Sequence, residues 1–118
     1  MGETFDDFNL KDELLRGIYS YGFENPSDIQ VKALPIINAK KDLIAQAQSG
    51  TGKTGCFTIG ALQAVDDTIH STQVLILSPT RELSMQTKQV VDSIGSQCKK
   101  IHTKLQNTLE KLSALGIK

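Results

Sequence analysis

The residues best placed to do chemistry lie in one run, Ala47-Gln48-Ser49-Gly50-Thr51-Gly52-Lys53-Thr54. Glycines in a short loop let successive backbone N–H groups turn toward phosphate oxygens without interference from a Cβ, and a helix that follows presents its positive end to the same anion. Gly50 and Gly52 suit that purpose. Lys53 is spaced to reach the outer phosphates, and the Thr54 hydroxyl can serve a Mg²⁺ ion. The general phosphate-loop pattern begins with glycine, whereas this run begins with Ala47.

Phosphate loops do not select a base, so the base must be read elsewhere. Upstream, "YGFENPSDIQ" sets the side-chain amide of Gln30 behind Pro26 and the aromatic Phe23. A glutamine amide can accept from the adenine amino group and donate to N7, the bidentate pairing used in DNA readout. Phe5 could fold back as a stacking platform. On chemistry alone, Phe5, Phe23 and Gln30 are equally compatible with ordinary core or surface roles.

The elements that must position these residues follow from pattern. A helix is expected near Lys11–Tyr21, then a Gly-Phe turn and a second helix after Pro26 with Ser27 as N-cap. "DLIAQA" reads as a short strand entering the glycine-rich loop, and a helix runs from Lys53 to about Asp67. Val74-Leu75-Ile76-Leu77 is continuously apolar, as expected of a strand covered on both faces in a parallel sheet. It leads through Ser78-Pro79-Thr80 into a helix from about Arg81 to Ile94. The order predicts an α/β fold with a parallel βαβ core and right-handed crossover, a helical N-terminal segment and a C-terminal amphipathic helix. The domain is assigned to residues 1–96 and a divergent helical tail to 97–118, where Ile101, Leu105, Leu109, Leu112 and Leu115 recur every three or four residues.

Composition narrows the class. The 118 residues, 39% apolar and 22% charged, suit one soluble globular domain near the small end for a self-sufficient core. Thirteen bases balance thirteen acids, so bulk charge gives no reason to expect a nucleic acid or membrane partner. The balance is local: residues 1–28 hold seven acids and two bases, residues 97–118 five lysines and one glutamate. No apolar run approaches the roughly 20 residues of a membrane span, and neither a signal peptide nor a myristoylation signal is legible at the N-terminus. An intracellular protein, cytoplasmic or nuclear, with no membrane partner is expected. Cys56 and Cys98 lack paired spacing and are read as buried or incidental thiols, and His70 and His102 as surface residues.

Together, Phe5, "GFENPSDIQ", "AQSGTGKT" and "PTREL" resemble the N-terminal part of a DEAD-box RNA helicase, with its Q motif, motif I and motif Ia in order. "LLRGIYSYGFENPSDIQ" and "IAQAQSGTGKT" look closest to the translation initiation factor 4A branch. The resemblance runs from about Phe5 to Gly95 and accounts for Ala47, since an alanine start is that family's usual variant. It implies a partial RecA-like phosphate-loop domain in which Gln30 reads adenine with Phe5 stacked on it and Phe23 nearby, Ala47 through Thr54 hold the phosphates of ATP and Mg²⁺, with Lys53 stabilising phosphate charge and Thr54 serving the metal, and Pro79, Thr80, Arg81 and Glu82 lie at an RNA-binding face. Without the family, "SPTREL" is a plain strand-to-helix turn capped by Thr80.

The same resemblance defines what these residues lack. They contain no Asp-Glu-Ala-Asp, no Ser-Ala-Thr and no second RecA-like domain with an arginine finger. The tail does not carry the Gly-Gly motif expected there. Phosphoryl transfer depends on positioning and electrostatic stabilisation, an arginine finger alone contributing ~10³–10⁵ in rate. The expected function is therefore an ATP-binding helicase fragment without autonomous unwinding, touching RNA weakly through its sugar-phosphate backbone. The alternative is a non-enzymatic module whose tail binds a helicase or translation-factor partner through Leu105, Leu109 and Leu112. A small phosphate-loop kinase is disfavoured, because Arg16 and Arg81 are the only arginines available for a lid.

Overall fold

A computed structural model describes residues 4–47, 52–66, 68–69 and 71–98. Four helices organise it: α1 (Asp12–Tyr21), α2 (Asp28–Asn38), α3 (Lys53–Ala64) and α4 (Arg81–Ile94), with 3₁₀ turns at Phe5–Phe8 and Gly95–Gln97.

Each helix has a local cause. In α1, Asp12 and Glu13 sit in the first turn, where they complement the helix dipole, and Leu14, Gly17 and Ile18 share the buried face. The helix stops at Gly22, whose φ of 109° allows the Gly22 N–H to reach the Tyr19 carbonyl and the Phe23 N–H to reach Ile18. Ser27, in extended conformation, precedes α2 as expected. Thr80 caps α4, its hydroxyl accepting from the Leu83 N–H at 3.2 Å.

Helix α3 is the centre of the packing, touching α1, α2 and α4. Six of its twelve residues are buried, Gly55, Cys56, Thr58, Ile59, Gly60 and Leu62, and they meet Leu14 and Ile18 of α1, Leu34 of α2 and Ile94 of α4 in one apolar cluster. Its C-terminal end is held by Lys11, whose Nζ donates to the Leu62 carbonyl at 3.2 Å and to that of Val65, while the Lys11 N–H donates to Gln63 Oε1 at 2.9 Å. A cation on these carbonyls satisfies acceptors that have no partner within the helix. α3 ends at Ala64, three residues before the expected limit.

The parallel βαβ core does not appear among the described residues, which contain no strand. Residues 42–47 and 72–78, read from the pattern as strands, have no regular secondary structure, and their backbone groups form no ladder among the described residues. A strand requires a neighbour to receive its hydrogen bonds, and neither segment pairs with the other. Apolar side chains are exposed in consequence: Ile44 is fully accessible, and Leu75 and Leu77 are each 65% exposed. The tail stripe from Ile101 to Leu115 lies outside the described residues, as do His70 and His102. Cys56 and Cys98 are both buried, in agreement with expectation.

Candidate nucleotide site

The turn between α1 and α2 and the start of α3 border an open depression of about 410 Å³, lined by Phe23, Asn25, Ser27, Asp28, Ile29, Gln30 and Gly52. Three of these, Phe23, Gln30 and Gly52, were singled out by the sequence. Asn25, Ser27, Asp28 and Ile29 were not assigned to a ligand, although they belong to the same short run; its contiguity was the available signal.

Gln30 is 3% exposed and joins the two walls. Its Oε1 accepts from the Ser27 N–H at 3.0 Å, and its Nε2 donates to the Gly52 carbonyl at 3.2 Å. A primary amide has two acceptor sites and two N–H groups, so one of each remains for a base. The Ser27 hydroxyl is buried and stands in a capping-box relation to Gln30 at the start of α2.

Phe23 is half-buried at the depression, its ring stacked on Phe5 with centroids 6.1 Å apart and 17° between planes. Tyr21 meets Phe23 edge-on at 5.0 Å. Phe5, expected to stack on the base, is fully buried and lies behind Phe23 rather than on the lining of the depression. In this arrangement its contact is with the aromatic wall, because the 3₁₀ turn that carries Phe5 and Phe8 inserts both rings into the core.

At the phosphate end, Gly52 caps α3 with φ 96°, in the region that favours glycine. A Cβ there would stand 2.8 Å from Ser27 Oγ and 2.9 Å from Gln30 Nε2. Lys53 is exposed and Thr54 half-buried, both in the first turn of α3, where backbone N–H groups have no acceptor within the helix. Ala47 is half-buried at the entrance to the loop; Gln48, Ser49, Gly50 and Thr51 lie outside the described residues. Burial raises the pKa of the Cys56 thiol, three residues beyond Lys53, which keeps it protonated at neutral pH. No group of metal-ligating side chains occurs among the described residues. A hydroxyl such as that of Thr54 is by itself a partial Mg²⁺ site, since that ion keeps several waters.

Pro79, Thr80, Arg81 and Glu82 are all exposed where residues 72–78 lead into α4. The Thr80 side chain is used in capping, while the Arg81 guanidinium faces solvent beside the N–H groups of the helix start.

Comparison with known proteins places these features in a family. The sequence model described as DEAD/DEAH box helicase matches residues 27–116, which takes in the end of the Q motif (Ser27–Gln30), the phosphate loop and most of the segment beyond residue 96. The chain therefore belongs to the DEAD/DEAH box helicase family. It is 62% identical over 95 residues to the ATP-dependent RNA helicase FAL1 of Saccharomyces cerevisiae (strain ATCC 204508 / S288c), covering 80% of this chain and 24% of that protein. It is 59% identical over 93 residues to the ATP-dependent RNA helicase eIF4A of Chaetomium globosum, covering 79% of this chain and 23% of that one. Among solved structures, S. cerevisiae Dbp5 bound to RNA and ADP BeF3 aligns with a TM-score of 0.76 at 44% identity, over 80% of this chain and 25% of that chain. A DEAD box protein from the hyperthermophile Methanococcus jannaschii aligns with a TM-score of 0.73 at 32% identity, over 95% of this chain and 32% of that chain. The chain spans about a quarter of the length of the curated relatives it matches. No helix among the described residues is long and apolar enough to cross a membrane.

Proposed function

We propose that these 118 residues form an ATP-binding portion of a DEAD-box RNA helicase of the eIF4A and FAL1 kind, one that holds Mg²⁺·ATP and does not unwind RNA by itself. The observation that carries the reading is the buried Gln30 amide, bonded on one side to the Ser27 N–H and on the other to Gly52, with one donor and one acceptor left over the depression. Adenine matches that residual pair, whereas guanine would set O6 against the amide oxygen. Phe23 supplies the apolar wall against the base, with Phe5 stacked behind it.

Lys53 and the free N–H groups at the start of α3 bind the phosphates with Ala47 through Thr51, and Thr54 contributes a hydroxyl to the Mg²⁺ shell. Bound ATP and Mg²⁺ supply the scissile phosphoanhydride and its charge neutralisation. The carboxylates that position an attacking water and the arginine that stabilises transferred charge are not in this sequence, so slow turnover at most is expected. Arg81, with Pro79, Thr80 and Glu82 around it, is the candidate contact to an RNA backbone phosphate, made without reading sequence. A cytoplasmic or nuclear setting is part of this reading.

Calorimetric titration of the purified chain tests the reading. Mg²⁺·ATP should bind saturably and more tightly than Mg²⁺·GTP, and Gln30→Ala should lower ATP affinity about tenfold or more while removing the preference between bases. Equal binding of both nucleotides by the unaltered chain would refute the role of Gln30. RNA-stimulated ATP turnover that disappears in Lys53→Ala would refute the claim that these residues cannot turn over ATP alone.

A further inference from the structure

Asp28 is the charged side chain on the lining of the depression, where the residues around it are neutral. It is exposed, and its carboxylate makes no hydrogen bond or ion pair among the described residues. Its place in the first turn of α2 complements the helix dipole, yet Asp12 of α1 and Glu82 of α4 do the same without bordering the depression. The dipole accounts for an acid at this end of a helix and not for one set on the wall that carries Gln30.

We infer that Asp28 is a second specificity-determining residue, its carboxylate accepting the adenine amino hydrogen that Gln30 does not use. This rests on the nucleotide reading of the site. Gln30 cannot reverse its amide, because rotation would set Oε1 against the Gly52 carbonyl and Nε2 against the Ser27 N–H. Its remaining acceptor takes one hydrogen of the exocyclic amine while its remaining donor serves N7. The amine has a second hydrogen, on the N1 side of the base, which needs an acceptor of its own. A carboxylate suits it, since it accepts and does not donate. The Asn25 amide also lines the depression, but it can turn to present either a donor or an acceptor and so confers no preference. A 6-oxo purine would set its oxygen against the Asp28 carboxylate, two acceptors with no hydrogen between them. The carboxylate belongs to α2, whereas the phosphates are assigned to the loop and the start of α3, which keeps the two kinds of negative charge on different elements.

Calorimetric titration of the full chain provides the test, comparing Mg²⁺·ATP with Mg²⁺·purine riboside triphosphate, which lacks the 6-amino group and is otherwise the same molecule. In Asp28→Ala the ratio of the two affinities should fall about fivefold from its value in the unaltered chain, the loss expected of one charge-assisted hydrogen bond at an exposed position. Removing a negative charge near a triphosphate also shifts both affinities together, and that shift cancels in the ratio. Loss of the dipole complement lowers the melting temperature without moving the ratio, and far-UV circular dichroism confirms that the variant keeps its helices. A ratio unchanged in folded Asp28→Ala, where Gln30→Ala still lowers it, overturns this proposal alone. A ratio of one in the unaltered chain, insensitive to Gln30→Ala, refutes the nucleotide reading and this proposal with it.

Discussion

At the scale of single residues, Gln30 and Gly52 are one device. The amide is buried because it caps α2 through Ser27 and ties that helix to the first residue before α3. Gly52 is glycine for two reasons, its positive φ and the lack of room for a Cβ between Ser27 Oγ and Gln30 Nε2. Gly52→Ala should therefore cost about 1–3 kcal/mol of stability and weaken nucleotide binding as well. Urea denaturation with and without Mg²⁺·ATP separates the two effects; an alanine variant as stable and as tightly binding as the parent would contradict the geometry. The sequence marked both residues through their motifs. It could not show that they touch, nor that Phe5 would sit behind Phe23, because both facts depend on where the 3₁₀ turn at Phe5–Phe8 packs.

At the scale of elements, two helices end in the same left-handed conformation with different residues. Gly22 closes α1 at φ 109°, and Lys40 closes α2 at φ 61°, its N–H reaching the Ile37 carbonyl at 2.9 Å while the Lys41 N–H reaches Ile36 at 3.3 Å. A left-handed lysine carries a steric cost that glycine lacks. Lys40→Gly should raise stability by about 0.5–1 kcal/mol, whereas Gly22→Ala should lower it by about 1 kcal/mol. Thermal melts of the pair check the opposite signs. The crossing of α1 and α4 depends on Gly17, where an added methyl group would overlap the Ile94 carbonyl oxygen. Backbone cannot yield as a flexible side chain would, so Gly17→Ala should cost about 3 kcal/mol or more and broaden the melting transition. A sharp transition near the parent midpoint would show that the helices separate more easily than this contact indicates.

At the scale of the whole molecule, the helices form the organised part and the segments read as strands remain at its margin. α3 is central because its buried face is continuous with those of α1, α2 and α4. Residues 42–47 leave that core after Lys40 and Lys41, both exposed and outside any helix. Protease susceptibility follows backbone exposure and lack of local hydrogen bonding. Within residues 4–98, trypsin should cut first after Lys40 or Lys41 and last after Arg16 and Lys88, which lie within helices. Mass analysis of a short digestion decides this, and early cleavage at Arg16 would show that α1 opens more readily than its packing implies.

The sequence by itself determined what depends on neighbours along the chain. The boundaries of α4, Arg81–Ile94, with Thr80 as its cap, follow from a hydroxyl placed before an amphipathic run, and the stop of α1 follows from a glycine able to turn left-handed. The family was legible for the same reason, since its motifs are contiguous strings of residues that must lie side by side to hold phosphate and base. Only the tertiary structure decided which residues meet across the chain: Gln30 with Gly52, Lys11 with the end of α3, Phe5 with Phe23. It also decided that "DLIAQA" and "VLIL" form no ladder among the described residues. Apolar pattern specifies that a segment can be a strand, but pairing is a contact with another segment, and no local property of Val74–Leu77 supplies one.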